Sequence, residues 1–287
     1  MADRKTELIK AGPLRIAQAQ MPVITDPIAC RDYLEEAAAK AAEQKTQFLL
    51  LPEMFCCPYD TASFPEYAEE EGGPVYTLCS ETARKYGIYL SAGTIPERDS
   101  RGRIYNTAYV FNPKGRQIAK HRKMHLFDIQ IQGGQHFRES DVLSAGDSVT
   151  VFDTIFGTFG LAVCFDIRFP ELFRLMALKG ARAVFVPAAF NMTTGPGHWE
   201  LLFRSQALNN QLFTIGTAPA RNPSASYVSW GHSIVAGPWG NVINQMDAEE
   251  DFRITEIDLE EIRRAREQIP ALSGRRTDVY NLTERRI

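Results

Sequence analysis

The stretch GLAVCFDIRFPEL, Gly160 to Leu172, passes from an apolar run to a helical pattern within a few residues. The run ends at Cys164. Pro170 and Glu171 then mark a helix start: proline's fixed φ suits a first turn, and a glutamate there complements the helix dipole. A strand that leads straight into a helix is the unit of a layered α/β fold. Sites in such folds form at the carboxyl ends of strands, where Cys164 stands with Asp166 and Arg168 beside it. On these residues alone, Cys164 reads as buried filler, a redox thiol, a metal ligand or a nucleophile. Free cysteine is among the most buried residue types, whereas a thiol beside helix amides has its thiolate favoured.

Working outward, TVFDT and FGTFGLAVC read as a strand pair, and ARAVFVPAAF as the strand after the helix. HWELLFRSQALNNQ is a helix, LFTIGTAPA a strand, and GHSIVAGPWGNVINQ a hairpin around Gly237-Pro238-Trp239-Gly240. Toward the N-terminus, LRIAQAQ is a strand and Asp26-Pro27 opens a helix. FLLLPEM, Phe48 to Met54, is a continuous apolar run and therefore a strand buried on both faces. A helix from Ser80 to Gly87, the strand IYLSAGTIP, and a hairpin turning at Asn112-Pro113-Lys114-Gly115 follow. Leu126 to Ser148 is irregular, as an active-site or interface loop would be. IDLEEIRRAREQIP is the last helix. A purely parallel sheet does not explain the hairpins. Two mixed sheets packed face to face with helices outside do. No linker or repeat divides the chain, so one domain is expected over residues 1–287, with a basic tail from about 271 to 287.

Apolar residues make up 44% of the 287 and charged residues 23%, a soluble globular balance. A net charge of −3 without charge blocks leaves no footprint for nucleic acid. Residues 1–12 lack the apolar core of a signal peptide, and no apolar run is long enough for a bilayer, so a cytoplasmic protein with no membrane partner is expected. Five cysteines, Cys30, Cys56, Cys57, Cys79 and Cys164, form no disulfide framework and are expected to be reduced.

Two other strand ends carry reactive groups. In LLLPEMF, Glu53 follows an apolar run; poor hydration there raises a carboxylate toward the range of a useful base, unless the residue has simply reached a surface loop. In AKHRKMHLFD, Lys120, Arg122 and Lys123 cluster with His121 and His125. A solvated hairpin end is the plain alternative. The two histidines lie four apart, which suits a metal only on a helix, and no third ligand accompanies them. A cysteine nucleophile needs a base and an oxyanion donor. Neither the papain-type cysteine environment nor a GxSxG elbow is present, which leaves Glu53 and Lys123 for these roles.

LPEMF, KHRKMHLFD and GLAVCFDIRFPEL, in that order and spacing, resemble the Glu-Lys-Cys signature of the nitrilase superfamily of carbon–nitrogen hydrolases. The resemblance runs from Leu14 to the helix near Ile262. CCPY, FPEYAE, KMHLFDI, FRES, PAAFNMTTGPGHWELL and ASYVSWGHS resemble its ω-amidase branch. The resemblance implies a four-layer α-β-β-α sandwich and a homodimer paired through one helical layer. It implies hydrolysis of the terminal amide of 2-oxoglutaramate and 2-oxosuccinamate through a cysteine thioester, with neither metal nor organic cofactor. Another amidase of the superfamily, such as an N-carbamoyl amine hydrolase or a nitrilase, and a non-catalytic binding homologue are the alternatives. Glu53, Lys123 and Cys164 are the implied catalytic residues, and Glu139 in FRES matches the family's second glutamate. The Phe165 amide would help Lys123 hold the oxyanion. An anionic small-molecule amide needs a cation, for which Arg168 is the first choice; a structural ion pair with Asp166 or Glu171 is its alternative. Tyr59, Phe190, Asn191 and Thr194 are expected to line the pocket, and Cys56 and Cys57 its rim. Trp199 and Trp230 are expected to be packing residues.

Overall fold

Phe48 and Leu50 belong to one apolar core, and Leu49 and Leu51 to another. Ile16 and Ala17 divide in the same way, as do Val110 and Tyr109. This period of two along strands buried on both faces requires a layer on either side of the sheet.

The computed structural model describes residues 13–132 and 136–285. Residues 1–12, read above for a signal peptide, lie outside the described residues. The first half runs β1 (Leu14–Gln20), α1 (Pro27–Glu43), β2 (Phe48–Leu50), α2 (Ser63–Tyr67), α3 (Pro74–Tyr86), β3 (Tyr89–Arg98), β4 (Ile104–Phe111) and β5 (Gln117–Arg122). A small hairpin of β6 (Asp128–Gln130) and β7 (His136–Arg138) follows. The second half runs β8 (Thr150–Thr154), β9 (Gly157–Leu161), α4 (Pro170–Leu178), β10 (Ala183–Pro187), α5 (Gly195–Asn210), β11 (Phe213–Thr217), β12 (Ile234–Ala236), β13 (Val242–Gln245), β14 (Asp251–Ile257) and α6 (Glu260–Gln268).

Two six-stranded sheets result, ordered β14-β1-β2-β3-β4-β5 and β13-β12-β11-β10-β9-β8. Each has a parallel centre, β1-β2-β3 in one and β9-β10-β11 in the other, flanked by antiparallel strands. The sheets meet through a shared core in which the Phe48 ring stacks on Tyr89 at 4.8 Å and meets Phe159 at 5.2 Å and Phe185 at 5.3 Å. Leu34, Ala38, Cys79 and Ala83 of α1 and α3 cover the outer face of the first sheet. Phe173, Met176 and Phe203 of α4 and α5 join the core of the second. This is the expected sandwich of mixed sheets. Among the described residues no helix is long and apolar enough to cross a membrane.

Three local readings change. Helix α3 starts at Pro74, not Ser80. Its first turn is capped from outside, because the Glu69 carboxylate accepts from the amides of Val75 at 2.9 Å and Tyr76 at 2.8 Å. DFRITEI, unassigned from the sequence, is β14, the antiparallel partner of β1 along its whole length. The irregular stretch after Leu126 contains the β6–β7 hairpin and a 3₁₀ turn at Glu139–Asp141.

Candidate active site

Glu53 lies just beyond β2, and a glycine in β3 places it there. At Gly93 (φ +53°) a Cβ would sit 2.1 Å from the Pro52 carbonyl oxygen, so only glycine lets the chain pass. Beside it, the Thr94 hydroxyl accepts from the Met54 amide at 2.9 Å. The Glu53 carboxylate is wholly buried. Its Oε1 accepts from Asn106 Nδ2 at 2.7 Å, and its Oε2 accepts from the Ala189 amide at 2.7 Å, which lies beyond β10 in the opposite sheet. Burial raises the Glu53 carboxyl above the usual carboxylate range and Glu139 adds to this, against the opposing pull of Lys123.

Lys123 follows β5 directly. Alternation along that strand sends Lys120 and Arg122 outward to Glu97, at 2.6 Å each, and turns His121 and Lys123 inward. Two neighbours fix the backbone: the Lys123 amide donates to Asn106 O, and the Gly146 amide donates to Lys123 O, both at 2.8 Å. The ammonium is fully buried and donates to Glu139 Oε1 at 2.9 Å and to Glu53 Oε1 and the Tyr59 hydroxyl at 3.2 Å each. Burial alone would lower its proton affinity, but Glu139 and Glu53 outweigh it and push Lys123 well above the ordinary lysine value. Glu139 is anchored in turn, its Oε2 accepting from the Phe127 amide at 2.7 Å.

Cys164 opens the 3₁₀ turn Cys164–Arg168 with a left-handed backbone (φ 45°), a conformation that a side-chain-bearing residue holds only where its surroundings impose it. Its thiol lies beside the Glu53 carboxylate and feels its charge. Burial and the Glu53 charge push the thiol well above its usual value, and Lys123 only partly opposes them. Burial and the Glu53 charge therefore work against the free thiolate expected from nearby helix amides. A protonated sulfur, a buried carboxylate beside it and a lysine held by a second carboxylate are together equipped for acyl transfer.

A family model described as carbon–nitrogen hydrolase matches residues 15–267. The chain belongs to the carbon–nitrogen hydrolase family. The ω-amidase NIT2-A of Xenopus laevis is 49% identical to this hydrolase over 267 residues, which are 92% of this chain and 95% of the relative. Among solved structures, Nit3 of Saccharomyces cerevisiae, a member of branch 10 of the nitrilase superfamily, matches with a TM-score of 0.85 and 38% identity, covering 93% of this chain and 97% of that one. A mutant amidase from Nesterenkonia sp. AN1 matches with a TM-score of 0.77 and 25% identity, covering 93% of this chain and 95% of that one. In that structure the active-site cysteine carries the acetamide moiety of fluoroacetamide.

Around the hydrolase's buried centre, the sequence-selected residues separate. Tyr59 enters the polar network itself, donating to Glu139 Oε1 at 2.7 Å. Arg168 has no ion pair among the described residues, with Asp166 and Glu171 or any other. Its guanidinium lies over the rings of Phe165 (5.4 Å) and Phe190 (5.1 Å), and Nη1 is 3.1 Å from His198 Nδ1. Phe190 also packs edge-on against Trp199. Asn191 Oδ1 accepts from the amide and hydroxyl of Thr194, both at 2.9 Å, so these two side chains shape the entry to α5. Cys57 is buried with its thiol on Pro58 O, and Cys56 faces a separate cavity with Cys30, so neither lies on the rim of the Glu53 cavity.

That cavity, about 250 Å³, reaches Glu53, Tyr59 and Ala189 and is walled by Tyr227. Tyr227 was not selected from the sequence; its ring lies 4.5 Å from Tyr59 and its hydroxyl donates to Ala189 O at 2.6 Å. Asn106 was also missed. Its signal was an asparagine inside IYNTAYVF, since asparagine is depleted from strands.

Proposed function

We propose that this carbon–nitrogen hydrolase is an ω-amidase, which releases ammonia from the terminal amide of short 2-oxo dicarboxylic acid amides such as 2-oxoglutaramate and 2-oxosuccinamate. One observation carries the chemistry: the wholly buried Glu53 carboxylate is hydrogen-bonded to the buried Lys123 and acts on the buried Cys164 thiol beside it. The ω-amidase relative supports the substrate class.

Glu53 takes the thiol proton as sulfur attacks the amide carbon. Lys123 and the Phe165 amide stabilise the oxyanion that forms. The proton on Glu53 passes to the departing nitrogen, giving ammonia and a thioester on Cys164. Glu53 then takes a proton from water, which hydrolyses the thioester to the free acid and restores the thiol. Glu139 keeps Lys123 in place throughout. Arg168, a cation without a carboxylate partner among the described residues, receives the substrate carboxylate.

A single hydrolase domain is proposed for the whole chain, supported by the core the two sheets share. Homodimer pairing through α4 and α5 is proposed from the apolar side chains exposed there, Leu178, Leu201 and Leu208. A cytoplasmic location is proposed from composition alone.

The test is ammonia release from 2-oxoglutaramate, 2-oxosuccinamate, a simple nitrile and an N-carbamoyl amine, by the protein and by Cys164→Ala. The oxo-amides are expected to lead, and the variant to be inactive but folded. Preference for the nitrile or the carbamoyl amine would overturn the substrate assignment; turnover by the variant would overturn Cys164.

A further inference from the structure

The proposed mechanism makes no use of Asp166, although this carboxylate is wholly buried two residues from Cys164. Its Oδ2 accepts from the Val163 amide at 2.9 Å and lies 3.0 Å from His121 Nε2. Its Oδ1 accepts from the His125 amide at 3.0 Å and lies 2.7 Å from His125 Nδ1. An ionised carboxylate only accepts, so both rings present N–H to it. Burial alone would raise the Asp166 carboxyl, but the His121 and His125 hydrogen bonds hold it well below the usual range.

The rings are themselves fixed. His121 Nδ1 lies 2.9 Å from Thr150 Oγ1, and His125 stacks on Phe169 at 3.5 Å. What this cluster joins is the point. Val163 immediately precedes the nucleophile, at the end of β9 in the second sheet. His121 and His125 stand two residues to either side of Lys123, at the end of β5 in the first sheet.

We propose that Asp166 is a positioning residue, whose hydrogen bonds to Val163, His121 and His125 hold the Cys164 turn and the Lys123 segment in one register across the two sheets. The histidine pair singled out in the sequence thus acts as a brace for the lysine. The proposal rests on the amidase reading for its substrate only. A shift of about 1 Å between reacting groups costs on the order of 100-fold in rate.

The test pairs variants that remove a ring donor with variants that keep it. His121→Leu and His125→Leu remove it; His121→Gln puts an amide nitrogen where Nε2 stood, and His125→Asn does so for Nδ1. Two readouts are taken, the kcat and KM for 2-oxoglutaramate and the rate at which iodoacetamide alkylates Cys164, followed by mass spectrometry. The leucine variants are expected to lose about 10–100-fold in kcat with KM within about threefold, and to slow alkylation in step. The amide variants are expected to recover most of both losses. Leucine variants with wild-type rates, or amide variants no faster than leucine, would overturn the proposal. Should the leucine variants melt below the assay temperature, Thr150→Val, which removes the outer partner of His121 and a long 3.4 Å bond to Lys120 O, decides by the same readouts: a several-fold loss supports the brace and unchanged rates overturn it. A wild-type protein that does not turn over the oxo-amide would defeat the substrate assignment alone, since alkylation needs no substrate.

Discussion

The Tyr59 phenol donates a 2.7 Å hydrogen bond to Glu139 Oε1, the same oxygen that accepts from Lys123 at 2.9 Å. Neither Tyr59 nor Glu139 lies on a strand of the large sheets: one follows β2 in a loop, the other follows the β6–β7 hairpin. Together they close the outer side of the lysine's surroundings.

Tyr59→Phe removes this bond and keeps the ring that packs on Tyr227. A lost hydrogen bond to a buried charged group costs about 1.5–3 kcal/mol. If that loss falls on the transition state, kcat drops by about 10–100-fold. Steady-state kinetics with an ω-amide checks this; a fall in KM affinity at constant kcat would make Tyr59 a binding residue instead.

Lys123→Met removes an oxyanion donor and also the cation between two buried carboxylates. Removing a donor of this kind costs about 10²–10³ in kcat. The Lys123 pKa is raised, so its stabilising contribution is fully present below the unfolded lysine value and is lost only as pH rises through the folded one. At neutral pH the variant therefore loses all of it, on the order of 3–5 kcal/mol, less whatever protonation of Glu53 relieves. Adding Glu139→Gln should recover part of the melting temperature but none of the activity. Calorimetry on the single and double variants tests this.

Much of this layout was legible because it is local. Turn residues at Asn112–Gly115 and Gly237–Gly240 marked their hairpins, apolar runs ending near Glu53 and Cys164 marked two strand ends, and the basic cluster around Lys123 marked a third. What the sequence hid is what depends on distant partners. The first turn of α3 is capped by Glu69 rather than by a neighbouring serine or aspartate. DFRITEI alternates only moderately and becomes a strand because β1 offers it an edge. Asn106 and Ala189 reach Glu53 from 53 and 136 residues away; the asparagine inside IYNTAYVF marks its own position but not its partner, and nothing marks Ala189.

The pH profile should carry the mark of Glu53. Glu53 works as a base only when ionised, and burial raises its carboxyl above the usual range, so kcat/KM is expected to rise with pH along a limb above that of an exposed glutamate, about 4.3. Lys123 and Cys164 are both raised, so no falling limb is expected below about pH 9. A descending limb near neutrality would show that a resting thiolate or a neutral lysine takes part, and would contradict this division of protons.

Arg168→Ala tests the anion side of the site. Burial lowers Arg168 from the ordinary guanidinium value, while Cys164 and Tyr227 act the other way. A guanidinium stays protonated through such shifts, so a half-buried cation with no ion pair among the described residues stands over Phe165 and Phe190. Hydrogen bonds between charged groups contribute about 1.5–3 kcal/mol. Removing the guanidinium should therefore raise KM for 2-oxoglutaramate by about 10–100-fold, and leave KM for a neutral amide such as propionamide nearly unchanged. The contrast between the two substrates is the measurement. Equal losses on both would mean that Arg168 supports the Phe165–Phe190 packing and that the substrate carboxylate is received elsewhere.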